Sequence, residues 1–269
     1  MRELRDFLHR LRCAPAVLVT VARTEGSAPR EAGAWMAVFG DAVMGTIGGG
    51  HLEFEAIAQA RGCLARPSAA ATLRRYPLGP GLGQCCGGVV HLRFERVEAS
   101  MAPALGARLG VAGAPLALFG GGHVGTALVR LLGELPFDVT WIDSRDEVFP
   151  PEVPPNVRCE HSDPVQTAVV DLAPGSRVVI MSFSHAEDLE IVAACLARRR
   201  QRDDLPYVGL IGSHTKWAVF GHRLRARGFG ADELSAVACP IGLPGIEGKQ
   251  PAVVAVSVAA QLLAGLSEN

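Results

Sequence analysis

The chain has 269 residues, 49% of them hydrophobic and 20% charged, enough apolar material for one large or two modest domains with real cores. A formal net charge of -1 supplies no general attraction to nucleic acid or to an anionic membrane, so neither is expected as a partner. Seven cysteines without regular spacing argue against a disulfide framework and for a reducing, cytoplasmic setting.

The opening residues, Met1-Arg2-Glu3-Leu4-Arg5-Asp6, are too charged for the apolar core of a signal peptide. Residues 2–12 have the spacing of a short amphipathic helix, with Leu4, Phe7, Leu8 and Leu11 on one face. The β-branched run Ala16 to Val21 predicts a strand, and Thr24 to Glu31 reads as a loop by composition. Trp35 to Phe39 predicts the next strand, turning at Gly40-Asp41 into Ala42 to Gly45. Then come Gly48, Gly49 and Gly50, directly before a helix with Leu52, Ala56, Ala60 and Cys63 on one face. Backbone amides without Cβ cover at a helix start can cradle an anion; the plainer alternative is a flexible elbow. Further on, Pro77 to Gly88 is a loop of glycine and proline around Cys85 and Cys86, followed by a strand at Val89 to Phe94. Val97 to Gly113 has no strong pattern, and the domain boundary is placed there, giving domains at 1–98 and 114–269.

From Pro115 strands and helices alternate: strands at 115–119, 137–142, 156–160, 177–182 and 206–211, and helices at 123–134, 164–172, 187–199 and 214–227. A loop at Cys239 to Gly245 precedes a final helix at about 251–266, whose apolar run is short of a membrane span. Alternation with mostly apolar strands predicts a doubly wound parallel sheet, and the whole is expected to be α/β with a smaller N-terminal α+β domain. The first strand runs into Gly120-Gly121-Gly122-His123-Val124-Gly125, which fits the G-x-G-x-x-G pattern in its strand–turn–helix setting. Gly120 permits the tight turn, Gly122 lets backbone approach a pyrophosphate, and Gly125 lets helix and strand pack. Asp143 closes the second strand 18 residues after Gly125, where a ribose-binding acid belongs. A turn of this kind that only packs, with no dinucleotide, is the alternative.

Familiar catalytic arrangements are absent: no C-x-x-C, H-E-x-x-H, G-x-S-x-G or P-loop lysine. His51, His123, His185 and His214 each fall at an expected strand-to-helix turn. Cys13, Cys63, Cys159 and Cys195 sit in apolar contexts and read as core residues. Cys85 and Cys86, flanked by glycines, are unshielded by local bulk; a thiolate there could take a soft metal, or the pair could be incidental.

Gly26-Ser27-Ala28-Pro29-Arg30, Gly45-Thr46-Ile47-Gly48-Gly49-Gly50 and Cys86-Gly87-Gly88 together resemble the XdhC/CoxI family of xanthine dehydrogenase accessory proteins. The second half resembles that family's Rossmann domain through Gly120 to Gly125, Ile142-Asp143-Ser144-Arg145, Gly209 to Ser213 and Pro240 to Leu243. Gly245 to Gln250 departs from the family pattern, being slightly longer than its usual run. The resemblance implies a carrier, and no enzyme, that binds the molybdenum cofactor (Mo-molybdopterin), holds it for sulfuration by a cysteine desulfurase, and inserts it into xanthine dehydrogenase. Cys86 would then contact molybdenum, with Cys85 second. Gly48, Gly49, Gly50, Gly120, Gly122, Gly125 and Asp143 would line the phosphate or pterin side, a nucleotide could occupy the Rossmann turn, and a homodimer is implied. An NAD(P)-dependent oxidoreductase is the alternative, and a redox-sensing module using the vicinal thiols a third.

Overall fold

A computed structural model describes residues 2–65, 70–79, 87–110 and 113–266. The chain divides into two compact units, residues 2–111 and 112–269.

The first unit is a five-stranded antiparallel sheet in the order β3-β2-β1-β5-β4. Its strands are β1 (Ala16–Glu25), β2 (Trp35–Val38), β3 (Val43–Gly45), β4 (Thr72–Pro77) and β5 (Val89–Val97). Alternation along β1 sends Val17, Val19 and Val21 to one face, where α2 (Gly50–Leu64) buries Leu52, Ala56 and Ala60 against them. Ala16 and Leu18 face the other side, covered by Phe7 and Leu11 of α1 (Arg2–Leu11) and Leu105 of α3 (Ala102–Leu109). Two of these elements have little sequence signature. β4 pairs only with β5 and is exposed along most of its length, so it carries no apolar alternation. In α3 only Leu105 is buried, which leaves no periodic stripe to read.

The second unit is a six-stranded, all-parallel sheet in the order β8-β7-β6-β9-β10-β11. Its strands are β6 (Ala114–Phe119), β7 (Phe137–Asp143), β8 (Val157–His161), β9 (Arg177–Ile180), β10 (Tyr207–Leu210) and β11 (Val237–Ala238). Numbered from its own first strand this is 3-2-1-4-5-6, the order of the Rossmann fold, with its switch point between β6 and β9. α4 (His123–Leu132) and α8 (Pro251–Ala264) pack on one face around Leu118, Phe137 and Trp141. α5 (His185–Arg202) and α6 (His214–Ala226) cover the other around Phe119, Ile180 and Val208, and a short α7 (Ala231–Ser235) leads into β11. The helix expected at 164–172 is a 3₁₀ segment, Val165–Asp171, and a polar cavity of about 380 Å³ lies beside it on the sheet face over Ala117 and Thr140. Neither α7 nor β11 was expected, both being too short for a period to register.

No helix among the described residues is long and apolar enough to cross a membrane. Of the four cysteines expected in cores, only Cys195 is fully buried; Cys63 and Cys159 are half-buried, and Cys13 is exposed beyond the end of α1.

Candidate functional site

Three loops of the first unit converge at one end of its sheet. β1 delivers the Gly26–Arg30 loop, β3 the Gly45–Gly50 turn, and β5 begins just after Gly87-Gly88. A Cβ on Gly88 would overlap the Ser27 carbonyl and lie 2.6 Å from that of Glu25, so these strands meet backbone to backbone. Gly48, at φ +122°, packs so closely under Pro29 that any side chain would overlap that ring. The Leu78 amide donates to the Gly88 carbonyl at 2.8 Å, which ties the other end of the Cys85–Cys86 loop to the same place. Cys85 and Cys86 themselves lie outside the described residues. Among the described residues, nothing lies within 4 Å of where a Cβ on Gly87 or Gly49 would be.

Glu53, in the first turns of α2, reaches back into this turn. Its Oε2 accepts from the amides of Ile47 (3.0 Å) and Gly49 (3.1 Å) and from the Thr46 hydroxyl. The Gly48 amide donates to Thr46 Oγ1 at 3.1 Å. The amides expected to cradle an external anion therefore hold an internal carboxylate, while Gly49 and Gly50, with φ of +73° and +66°, form the turn that brings it there. Glu53 Oε1 carries no hydrogen bond among the described residues, and no side chain caps α2. Beneath the loops, buried His91 of β5 meets Glu25 Oε1 at 3.0 Å. Sequence reading passed over this pair, although a histidine inside the apolar run Val89 to Leu92 is the mark it leaves.

In the second unit, the carboxyl edge of the sheet carries the glycine turn. Gly120 (φ +120°) lies against the Met181 carbonyl at the switch point, and Gly125 lies against the Gly120 carbonyl. A side chain at either would overlap these atoms. Gly122 caps α4, with no side-chain cap and open space where its Cβ would be. His123, His185 and His214 are the first residues of α4, α5 and α6, all exposed along this edge. Among the described residues no three His, Cys, Asp or Glu side chains are placed to share a metal ion.

Asp143 is where the motif expects it, at the end of β7, and is 2% exposed. Its Oδ2 accepts from the Gly121 amide (2.6 Å) and from the Arg145 guanidinium (2.9 Å). Its Oδ1 accepts from the Arg145 amide (3.0 Å) and Nε (2.9 Å). A carboxylate has about four acceptor positions, and all are filled. Burial acts to raise its pKa, but the hydrogen bonds from Arg145 and from the Gly121 amide outweigh that and hold the carboxyl below the usual range. Arg145 in turn lies over the exposed Phe183 ring, 4.6 Å from its centroid. Farther along the edge, Lys216 Nζ donates to Asp188 Oδ2 (2.6 Å) and the Ile211 carbonyl (2.8 Å). Asp188 Oδ1 takes the Ser182 amide (2.9 Å) and hydroxyl (2.7 Å).

Residues 116–262 match the model of the XdhC Rossmann domain, more than half of the chain, and residues 11–77 match that of the XdhC and CoxI family. The chain belongs to the XdhC family. Cys85 and Cys86 fall between the two matched stretches. The uncharacterized protein YqeB of Escherichia coli (strain K12) is 26% identical over 254 residues, covering 93% of this XdhC-family chain and 43% of YqeB. The chain thus spans less than half the length of this curated relative. A crystal structure described as a xanthine dehydrogenase from Bacillus halodurans aligns over 100% of this chain and 97% of its own, with a TM-score of 0.79 at 20% identity. At that identity the likeness is one of fold.

Proposed function

We propose that this protein is an accessory factor of xanthine dehydrogenase maturation whose cargo is the molybdenum cofactor. It holds the cofactor while a cysteine desulfurase exchanges an oxo ligand for sulfide, then delivers it to the apo-dehydrogenase; it works as a homodimer and is no enzyme itself. Family membership supports the accessory role. The observation that carries the cofactor reading is the convergence of the Gly26, Gly45 and Gly88 loops, because Gly87-Gly88 joins the two vicinal thiols to that place in the chain. A soft thiolate suits high-valent, dithiolene-bound molybdenum better than imidazole or carboxylate would. The donor set fits the cofactor in one respect and refuses it in another. Glu53 puts negative charge on the amides of Ile47 and Gly49, so this turn does not take the cofactor's phosphate. Its Oε1, unbonded among the described residues, is an acceptor suited to the N–H edge of a pterin.

The test is to load purified parent, Cys86→Ala and Cys85→Ala proteins with cofactor, remove the excess and assay the pterin retained. Loss in Cys86→Ala with a milder effect in Cys85→Ala is the expected result. Full retention by Cys86→Ala sinks the ligand assignment, and the reverse ranking moves it to Cys85.

A further inference from the structure

We infer that the Rossmann unit binds an adenine nucleotide phosphorylated on its ribose, held by Arg145 against Phe183, and rejects the form with free ribose hydroxyls. In a dinucleotide fold the acid ending the second strand accepts from the ribose hydroxyl, and an arginine nearby takes a phosphate in its place. Here the acid has nothing left to offer: all four acceptor positions of Asp143 are occupied by the Gly121 amide and by three donors of Arg145. A ribose hydroxyl would have to break one of these bonds in a buried place, which is costly. Arg145 is different. It spends Nε and one terminal nitrogen on Asp143, and its other terminal nitrogen has no partner among the described residues. Its side chain is 38% exposed, and its plane is set by the Asp143 fork on one side and the Phe183 ring on the other. A guanidinium fixed in this way is a pre-organised phosphate donor at the adenosine end of the crevice.

Of the neighbouring carboxylates, Glu187 lies near enough to strengthen the charge on Arg145 but is not bonded to it, and Asp146 is paired elsewhere. Glu187 Oε1 accepts from the Ser144 hydroxyl at 2.7 Å, and Asp146 pairs with His161 at 3.1 Å. At the other end of the crevice the uncapped start of α4 and the open side of Gly122 leave room for a pyrophosphate.

The experiment is calorimetric titration of the full chain with NADPH, NADH, 2',5'-ADP and coenzyme A, with thermal melts of every variant as a folding control. NADPH or coenzyme A should bind roughly tenfold or more tightly than NADH, the scale of one charge-assisted contact. Which of them does so distinguishes a 2'- from a 3'-phosphate. Arg145→Ala should lower NADPH binding and raise NADH binding, because it removes the phosphate donor and reopens Asp143. Arg145→Lys, which keeps the charge and loses the fork, should fall between. Equal or tighter binding of NADH by the parent overturns the assignment, as does binding of none of the four, or an unchanged ratio in Arg145→Ala. Pterin retention in the Cys86 experiment is read separately, so failure here leaves the carrier reading standing, and the reverse.

Discussion

The two glycine turns of this chain, Gly45–Gly50 and Gly120–Gly125, look alike in sequence and have been put to different uses. Both precede a helix, and in both an acid of the same chain captures turn amides: Glu53 those of Ile47 and Gly49, Asp143 that of Gly121. Glu53 does this with one oxygen, and among the described residues the other has no hydrogen bond and no arginine is bonded to either. Asp143 uses both oxygens and is saturated by Arg145. A glycine turn before a helix therefore specifies donors, and the nearest acid decides whether they face inward. The first turn ends with one carboxylate oxygen unbonded among the described residues, the second with a saturated carboxylate that holds a part-exposed arginine.

Stability separates the two turns most widely. Asp143→Ala strands a buried amide and frees an arginine. Allowing for the exposure of Arg145, it should cost about 2 kcal/mol in urea unfolding. Glu53→Ala, at a half-exposed position, should cost about 1 kcal/mol. Equal losses would erase the distinction drawn between them.

Acid titration sharpens the same contrast. The folded pKa of Asp143 is held below its unfolded value, so its contribution is complete above the unfolded pKa of about 4 and is lost as pH falls through the folded value. Urea midpoints followed downward from about pH 5 should fall less steeply in Asp143→Asn than in the parent. Parallel slopes would show that the Arg145 clasp is not what depresses the carboxyl.

A smaller effect sets a thiol of each unit against the other. Burial pushes the Cys195 thiol up to about 12, whereas Cys13 is exposed. Iodoacetamide at about pH 8 should label Cys13 in the folded protein and Cys195 only after unfolding, as read by peptide mass mapping.

The fold was legible where burial leaves a mark on the sequence. β6 is a continuous apolar run, β7 is mostly buried, α4 buries Leu128 and Leu132 at helical spacing, and the glycine turn from β6 to α4 lies where G-x-G-x-x-G puts it. β4 was not legible because an edge strand exposed along its length needs no apolar face. Nor was the 3₁₀ character of Val165–Asp171, where buried Val165, Ala168 and Val169 have a spacing that serves either helix. At the sites, sequence could locate Gly48–Gly50 and Asp143 but not their partners. Glu53 and Arg145 stood inside the very motifs being read, and which donor faces which acceptor is a matter of rotamers that no spacing records.

The Lys216–Asp188–Ser182 network joins two crossovers that the chain makes separately. Asp188 belongs to α5, Ser182 to the turn after β9, and Lys216 to α6, with its ammonium also on the carbonyl of Ile211. Lys216 and Asp188 are 11% and 3% exposed, so opening either helix start leaves an unpaired charge in a dry place. The starts of α5 and α6 are thereby coupled in time. Their amides should exchange with solvent through one shared opening, slower than either segment would show alone, and this part of the carboxyl edge should breathe as a single unit.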